Sequence, residues 1–383
     1  NADFSACLKA GTTAAISALE AIASGERSNV LVAAADMRKA KMATMAEMFI
    51  GDGAAAVLFG KDDVIAEFKG SYSLNADFVD HYKGVGKDFD YQWEERWVRD
   101  EGYGKLIPKA IAGYLKKTGA NLADFAKVIY PCYFTGTHRG IAKQLGIDPS
   151  RLQDNMHNVC GDTGTAHPLL MLASALEQAK PGDRLLLAGF GQGCDVLGFE
   201  VTDKIKNFRP ARGAAGSLAA KVDLPNYQKY TKFRDLITAD LGIRGEANPN
   251  TSLTALWRKR KMILGFVGNK CTACGTPQFP SLPMCVNPDC NEVGKFEDYE
   301  FADKSGKIQM FTGDMLSPSV DPPAVYGLVE FDGGGKAFLD FTDCDLNQIK
   351  VSMPIQMSFR RRMKDQTRGF TGYFWKAVPK VQG

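Results

Sequence analysis

Four cysteines, Cys271, Cys274, Cys285 and Cys290, fall within a short stretch, and no other feature restricts the folding of this chain as tightly. Cys271-Thr272-Ala273-Cys274-Gly275 sets two thiols two residues apart. That is the spacing of a knuckle turning both sulfurs toward one tetrahedral Zn²⁺, with Gly275 supplying the turn. Cys285 and Cys290 complete a four-sulfur set. A closed set of this kind leaves no open coordination position, so the zinc it implies is structural rather than catalytic. The second pair is separated by four residues, which keeps a metal-free loop as the alternative. The chain has nine cysteines, an odd number, and those outside the cluster are scattered. This reads as reduced thiols in a cytoplasmic protein, not as a disulfide framework.

A length of 383 residues gives room for two or three domains with their own cores. The formal net charge of +3 is too small to argue for nucleic acid or an anionic membrane, so neither is expected as a partner. No apolar run reaches the length of a membrane span, and no signal-peptide pattern is visible.

Residues 29–35 form an apolar run suited to a strand buried on both faces, and 54–60 return as a second strand after the Gly51-Asp52-Gly53 turn. Residues 103–118 show helical periodicity through Leu106, Ile107, Ile111 and Leu115. A strand at 128–130, a helix at 140–146, an apolar helix at 169–179 and strands at 184–188 and 196–201 follow. Helix, strand, glycine turn and strand recur around Gly51–Gly53 and Gly189–Gly193, an echo that suits two related halves. Residues 72–100 carry Tyr82, Phe89, Tyr91, Trp93 and Trp97. They form either a functional or subunit-contacting excursion or a loop anchored by its rings. Residues 204–255, with Pro210, Ala211, Gly213 and Asn248-Pro249-Asn250, read as a connector. Beyond residue 300 the pattern is all β: strands at 307–312, 325–331, 336–341, 354–361 and 370–375, the count of a small OB-type barrel. The expected map is an α/β domain at 1–203, the connector at 204–255, a zinc ribbon at 256–300 and the barrel at 301–383.

Cys7 is the candidate nucleophile. Ser5 or Asp3 is placed to cap an alanine-rich helix ending near Gly25, with Leu19, Ile22 and Ala23 on its apolar face. A cysteine at a helix N-terminus meets unpaired N–H groups and a dipole that favour the thiolate. Ala6, Ala10 and Gly11 leave space beside the sulfur. The alternative is a small buried core residue. His167, in Thr165-Ala166-His167-Pro168, is the candidate to take the thiol proton and assist enolate formation, or else a histidine packed at a helix start. Gly189 and Gly191 make a turn whose N–H, with that of Cys7, can form an oxyanion hole; the alternative is simply a tight turn. The runs Arg258-Lys259-Arg260-Lys261 and Arg360-Arg361-Arg362 either meet the phosphates of a cofactor or are solvated faces.

The stretch Ala6-Cys7-Leu8-Lys9-Ala10-Gly11 resembles the nucleophile turn of the thiolase superfamily, above all 3-hydroxy-3-methylglutaryl-CoA synthases and ketoacyl synthase III. Gly51-Asp52-Gly53-Ala54 resembles the element closing the first half of that fold, and the His167 motif resembles the thiolase "G-H-P". The resemblance implies a thiolase-like layered α/β fold, acyl-CoA substrates and an acyl-cysteine intermediate. In the family a substantial segment precedes this cysteine, so an N-terminally incomplete first domain is expected. The chain also departs from the pattern. Tyr130-Pro131-Cys132-Tyr133 stands where the synthases carry a histidine, with His138 a few residues on. Asp162 stands for an asparagine, and Leu187 for the second thiolase cysteine.

Zinc ribbon followed by barrel is similar to the small partner proteins of thiolases and hydroxymethylglutaryl-CoA synthases, which dock on the condensing enzyme and help hold acyl-CoA. Cys271-Thr272-Ala273-Cys274-Gly275 and Met353-Pro354-Ile355 carry that likeness, which implies a rubredoxin-like ribbon. Together the two resemblances imply a carbon–carbon bond-forming acyltransferase, working as a homodimer or beside another thiolase-like subunit. Its rivals are a non-catalytic acyl-CoA-binding scaffold and a nucleic-acid-binding protein. The second is disfavoured because no aromatic ladder across adjacent strands is evident in the sequence.

Overall fold

The computed structural model describes residues 1–5, 7–210, 212–238, 252–317, 319, 321–365 and 368–380. Ala6, Ala211 and Asn248-Pro249-Asn250, used above, lie outside the described residues. The chain divides into two compact units, Asn1–Ala219 and Ala220–Gly383, so the division falls inside the expected connector.

The first unit is built on a four-stranded sheet in the order Ala66–Asn75, Gly193–Val201, Arg184–Gly191, Lys127–Ile129. The first three strands are antiparallel and the last pair is parallel. Side chains alternate across a strand, so each central strand feeds two cores. Leu186, Ala188 and Phe190 pack with Ile107, Ile111 and Tyr114 of the Gly104–Thr118 helix. Leu185, Leu187 and Leu197 pack with Leu169 and Leu172 of the His167–Gln178 helix and Ala15 and Ala18 of the Ala10–Ala23 helix. Helices on both faces explain why Arg184–Gly191 reads as a near-continuous apolar run.

Asn29–Asp36 and Gly53–Gly60 form a separate antiparallel hairpin, paired from Asn29↔Gly60 to Asp36↔Gly53. The expectation that residues 29–35 are buried on both faces is corrected. Val32 and Ala34 are buried, whereas Leu31 is 65% and Leu58 67% exposed. The Ala10–Ala23 and His167–Gln178 helices both lie against this hairpin, and they leave the face of Leu31 and Leu58 open. The helix start is also corrected. Regular helix begins at Ala10, with Lys9 at the N-cap and no side-chain cap bond, so neither Ser5 nor Asp3 caps it.

In the second unit, Pro277–Gln278, Val267–Cys271 and Phe296–Glu300 form a small antiparallel sheet beneath the cysteines. A five-stranded antiparallel sheet follows, in the order Lys336–Asp340, Ala324–Phe331, Gly306–Asp314, Pro354–Asp365, Phe370–Pro379. Its two edges meet through a parallel bridge between Phe341 and Ala377, with Thr342 N–H donating to the Ala377 carbonyl at 3.0 Å. Phe266, Phe301, Ile308, Val329, Phe331 and Ile355 fill the enclosed core.

Candidate active site

Cys7 lies in the turn before the first helix, its carbonyl accepting from Ala10 N–H at 3.0 Å. The sulfur is partly exposed. It accepts a hydrogen bond from the Gln192 backbone N–H at 3.3 Å. Gly191 is pressed against it: a Cβ there would stand 2.5 Å from Sγ and 2.7 Å from the Lys9 amide nitrogen. Gly189 meets Thr12 in the same way, at 2.4 Å, but it lies inside the Arg184–Gly191 strand opposite Asp195 and not in the expected turn. The chain thus brings Cys7 to the last glycine turn, and glycine is needed there because backbone and sulfur approach so closely.

This register is fixed from below by Asp195, which is fully buried in the strand after the turn. It pairs with Lys9 Nζ at 3.1 Å and accepts from Thr12 Oγ1 at 3.2 Å and Thr13 Oγ1 at 2.6 Å. Gly11 N–H, an orphan donor of the first helical turn, is taken by Thr165 Oγ1 at 3.0 Å, tying the cysteine helix to the 163–167 loop. Neither Asp195 nor Lys9 was singled out in the sequence. The available signal was an acid inside an otherwise apolar strand, which demands a buried partner.

His167 is fully buried and occupied. Its Nδ1 accepts from Thr163 N–H at 3.2 Å, so Nε2 carries the proton and donates to the Asn155 carbonyl at 2.7 Å. The structure places it at the start of the His167–Gln178 helix as a packed histidine, and no hydrogen bond joins it to Cys7 among the described residues. His138 makes no hydrogen bond to Cys7 among the described residues. It sits in the Thr135–Leu145 helix against Tyr130, facing a cavity of about 750 Å³ lined by residues of 135–158. Burial pushes its pKa down to about 4. Cys132, which the resemblance sets against a histidine, is wholly buried, and burial pushes its thiol up to about 12.

Asp162 is buried beside His157 and His167, with ligand atoms of all three within 4.8 Å. Burial raises its carboxyl, but Arg38, the two histidines and the Gly164 N–H together outweigh that and hold it below the ordinary carboxylate value. Arg38 bonds Asp162 at 3.0 Å and Asp90 at 2.8 Å, pinning the 72–100 excursion to the 162–167 loop. Within that excursion Phe78 packs on Trp93 and Trp97, which are 42% and 47% exposed.

The cluster in the second unit is assembled as a metal site would require. Gly275, at φ 76°, closes the first knuckle, its N–H donating to the Cys271 carbonyl at 2.9 Å. The Cys271–Cys290 and Cys274–Cys285 sulfur pairs stand 3.8 and 3.6 Å apart, and all four sulfurs lie within 4.8 Å of one another. Zinc–sulfur bonds of about 2.3 Å in a tetrahedron put sulfurs about 3.8 Å apart, so the donor set fits.

The first unit carries the thiolase-like α/β fold. Residues 115–200 match the sequence family described as 3-Oxoacyl-[acyl-carrier-protein (ACP)] synthase III C terminal. Among solved structures, a crystal structure of HMG-CoA synthase complexed with CoA superposes with a TM-score of 0.51 at 20% identity, covering 65% of this chain and 67% of that one. The similar sequences are condensing acyltransferases. The chain is 28% identical over 211 residues to the hydroxymethylglutaryl-CoA synthase of Methanopyrus kandleri, covering 54% of this chain and 60% of the relative. It is 26% identical over 241 residues to that of Methanosarcina mazei, covering 62% and 69%. The chain therefore spans less than two thirds of the Methanopyrus relative. No helix among the described residues is long and apolar enough to cross a membrane.

Proposed function

We propose that the first unit is the acyl-accepting part of a condensing acyltransferase acting on acyl-CoA. The contact between the Cys7 sulfur and the Gly191-Gln192 turn carries this reading, supported by the likeness to hydroxymethylglutaryl-CoA synthases. Cys7 attacks the thioester carbon, the bond to the CoA sulfur breaks, and CoA leaves with the thiol proton. The enolate of a second acyl-CoA then attacks the acyl-cysteine, forming the carbon–carbon bond and returning the cysteine. Splitting the reaction in this way replaces one hard step by two easier ones. The turn N–H beside the sulfur is a donor for the oxyanion of both steps.

Within this reading Cys271, Cys274, Cys285 and Cys290 hold a structural Zn²⁺, and the closed five-stranded sheet is an OB-type barrel. The second unit is then a built-in counterpart of the CoA-handling partner modules it resembles. A homodimer, or a complex with another thiolase-like subunit, is the expected assembly.

A second reading is favoured by one observation: among the described residues no imidazole or carboxylate is hydrogen-bonded to Cys7, and His167 is fully engaged. A scaffold that binds acyl-CoA without acyl transfer has this arrangement. Incubation with radiolabelled acetyl-CoA separates the two. Label on the Cys7 peptide, lost in Cys7→Ala, supports the enzyme. CoA binding without covalent label, unchanged in Cys7→Ala, supports the scaffold.

A further inference from the structure

Forming an enolate needs a base, and the chain has four histidines that could supply an imidazole. Three are unsuited. His167 has both ring nitrogens hydrogen-bonded. The Nε2 of His138 and both ring nitrogens of His157 are buried without a partner. Burial pushes both rings down to about 4, too weak to hold a proton taken at neutral pH. The fourth, His81, is 17% exposed, and its Nδ1 lies 2.7 Å from the Asp80 carboxylate. A carboxylate can only accept, so Nδ1 carries the proton and Nε2 presents a lone pair. No hydrogen bond occupies that nitrogen among the described residues. An imidazole held by a carboxylate on one side and open on the other is built as a general base, because the carboxylate fixes the tautomer and stabilises the imidazolium.

The dyad is held firmly and close to the glycine turn. His81–Tyr82 pairs with Tyr91–Gln92, and Trp93 N–H donates to the Asp80 carbonyl at 3.1 Å. Arg38 clamps the second strand of this ribbon through Asp90, whose N–H also donates to the Lys39 carbonyl at 3.1 Å. Upstream, a Cβ on Gly193 would collide with the Leu74 carbonyl, so the chain entering the dyad runs along the turn that holds Cys7. Phe78 belongs to the same packed cluster as Leu8 and Phe190, the neighbours of Cys7 and Gly191, with its ring 6.2 Å from that of Phe190.

We infer that His81, oriented by Asp80, is the catalytic base that generates the enolate in the condensation proposed above, an inference resting on that reading. Its Nε2 takes a proton from the carbon beside the thioester carbonyl of the second acyl-CoA. The C–H electron pair becomes the enolate, and Asp80 stabilises the imidazolium. The enolate carbon then bonds to the acyl carbon on Cys7, the carbon–sulfur bond breaks, and the Cys7 thiolate recovers the proton from His81.

The test follows two half-reactions of the full chain with acetyl-CoA: covalent label on Cys7, and exchange of the methyl protons for deuterium, read by nuclear magnetic resonance in deuterium oxide. Wild type is expected to show both. His81→Gln is expected to keep the Cys7 label and lose at least about a hundredfold in exchange rate. Asp80→Asn, whose amide can donate to Nδ1 and reverse the tautomer, is expected to lose exchange as well. Added imidazole is expected to restore part of the exchange in His81→Ala. Wild-type exchange rates in His81→Gln, or a labelled wild type that exchanges nothing, overturn the dyad. Loss of label together with exchange in His81→Gln also overturns it, in favour of a structural role. Absence of label from wild-type Cys7 overturns instead the acyl-transfer reading, and the inference falls with it.

Discussion

Gly191 and Cys7 touch so closely that no Cβ fits between them: one added to Gly191 would lie 2.5 Å from the sulfur. The glycine is required by this approach, not by its backbone angles. Gly191→Ala must move the sulfur or the turn, and the strain of overpacking is about 1–3 kcal/mol. The expected outcome is a lower thermal midpoint and loss of Cys7 labelling by acetyl-CoA. Gly136→Ala, in the Thr135–Leu145 helix with nothing near its added methyl, is the control. It is expected to stabilise by about 0.5–1 kcal/mol.

Asp195 gathers Lys9, Thr12 and Thr13 beneath the cysteine turn. Asp195→Ala strands the ammonium and the Thr13 hydroxyl, while the Thr12 hydroxyl keeps the Lys9 carbonyl at 2.9 Å, at an expected cost of about 3 kcal/mol. Asp195→Asn keeps an acceptor for the threonines and is expected to cost less. Urea unfolding of both variants checks the order.

His138 gives the first unit an acid limit. Its folded pKa of about 4 lies below the ordinary 6.5, so the folded state binds the proton less readily than the unfolded chain. The associated stability is fully present above pH 6.5 and is lost as the pH falls toward 4. The loss reaches about 3 kcal/mol. In His138→Gln the slope of stability between pH 6.5 and 4 is expected to flatten by about one proton. Denaturation midpoints across that window measure it.

The cysteine cluster predicts one zinc per chain by elemental analysis. Strong chelation is expected to unfold the cysteine sheet while leaving the first unit's far-ultraviolet signal intact, because structural zinc sites contribute folding energy directly. Cys274→Ser is expected to lose most of the metal. A metal-free protein with an unchanged second unit would count against the site.

Features set by local chemistry were readable in the sequence, and those set by packing partners were not. Cys271-x-x-Cys274-Gly275 encodes its own turn, and Gly275 adopts the positive φ that the knuckle needs. Residues 184–188 announce a central strand because both faces meet apolar helices. Residues 29–35 carry the same kind of run, yet the hairpin is covered on one side only, so Leu31 faces outward. The helix start was misplaced because Asp3 and Ser5 look like caps, whereas the first-turn donor at Gly11 is satisfied from Thr165, far along the chain. His167 followed the same logic. A motif names the residue, but only the fold reveals that Asn155 and Thr163 occupy both its nitrogens. The stacked rings of Phe359 and Tyr373 escaped notice because they come from different strands, and only their register brings them together.

The short Gly213–Ala219 helix has a practical consequence for anyone expressing the two units separately. Ala214 is buried, and the Glu177 carboxylate receives the N–H groups of Ala214 and Ala215. A fragment ending at residue 203 would strip that carboxylate of its donors and bare the side of the His167–Gln178 helix. One ending at Ala219 keeps the buckle fastened, and is the better place to cut.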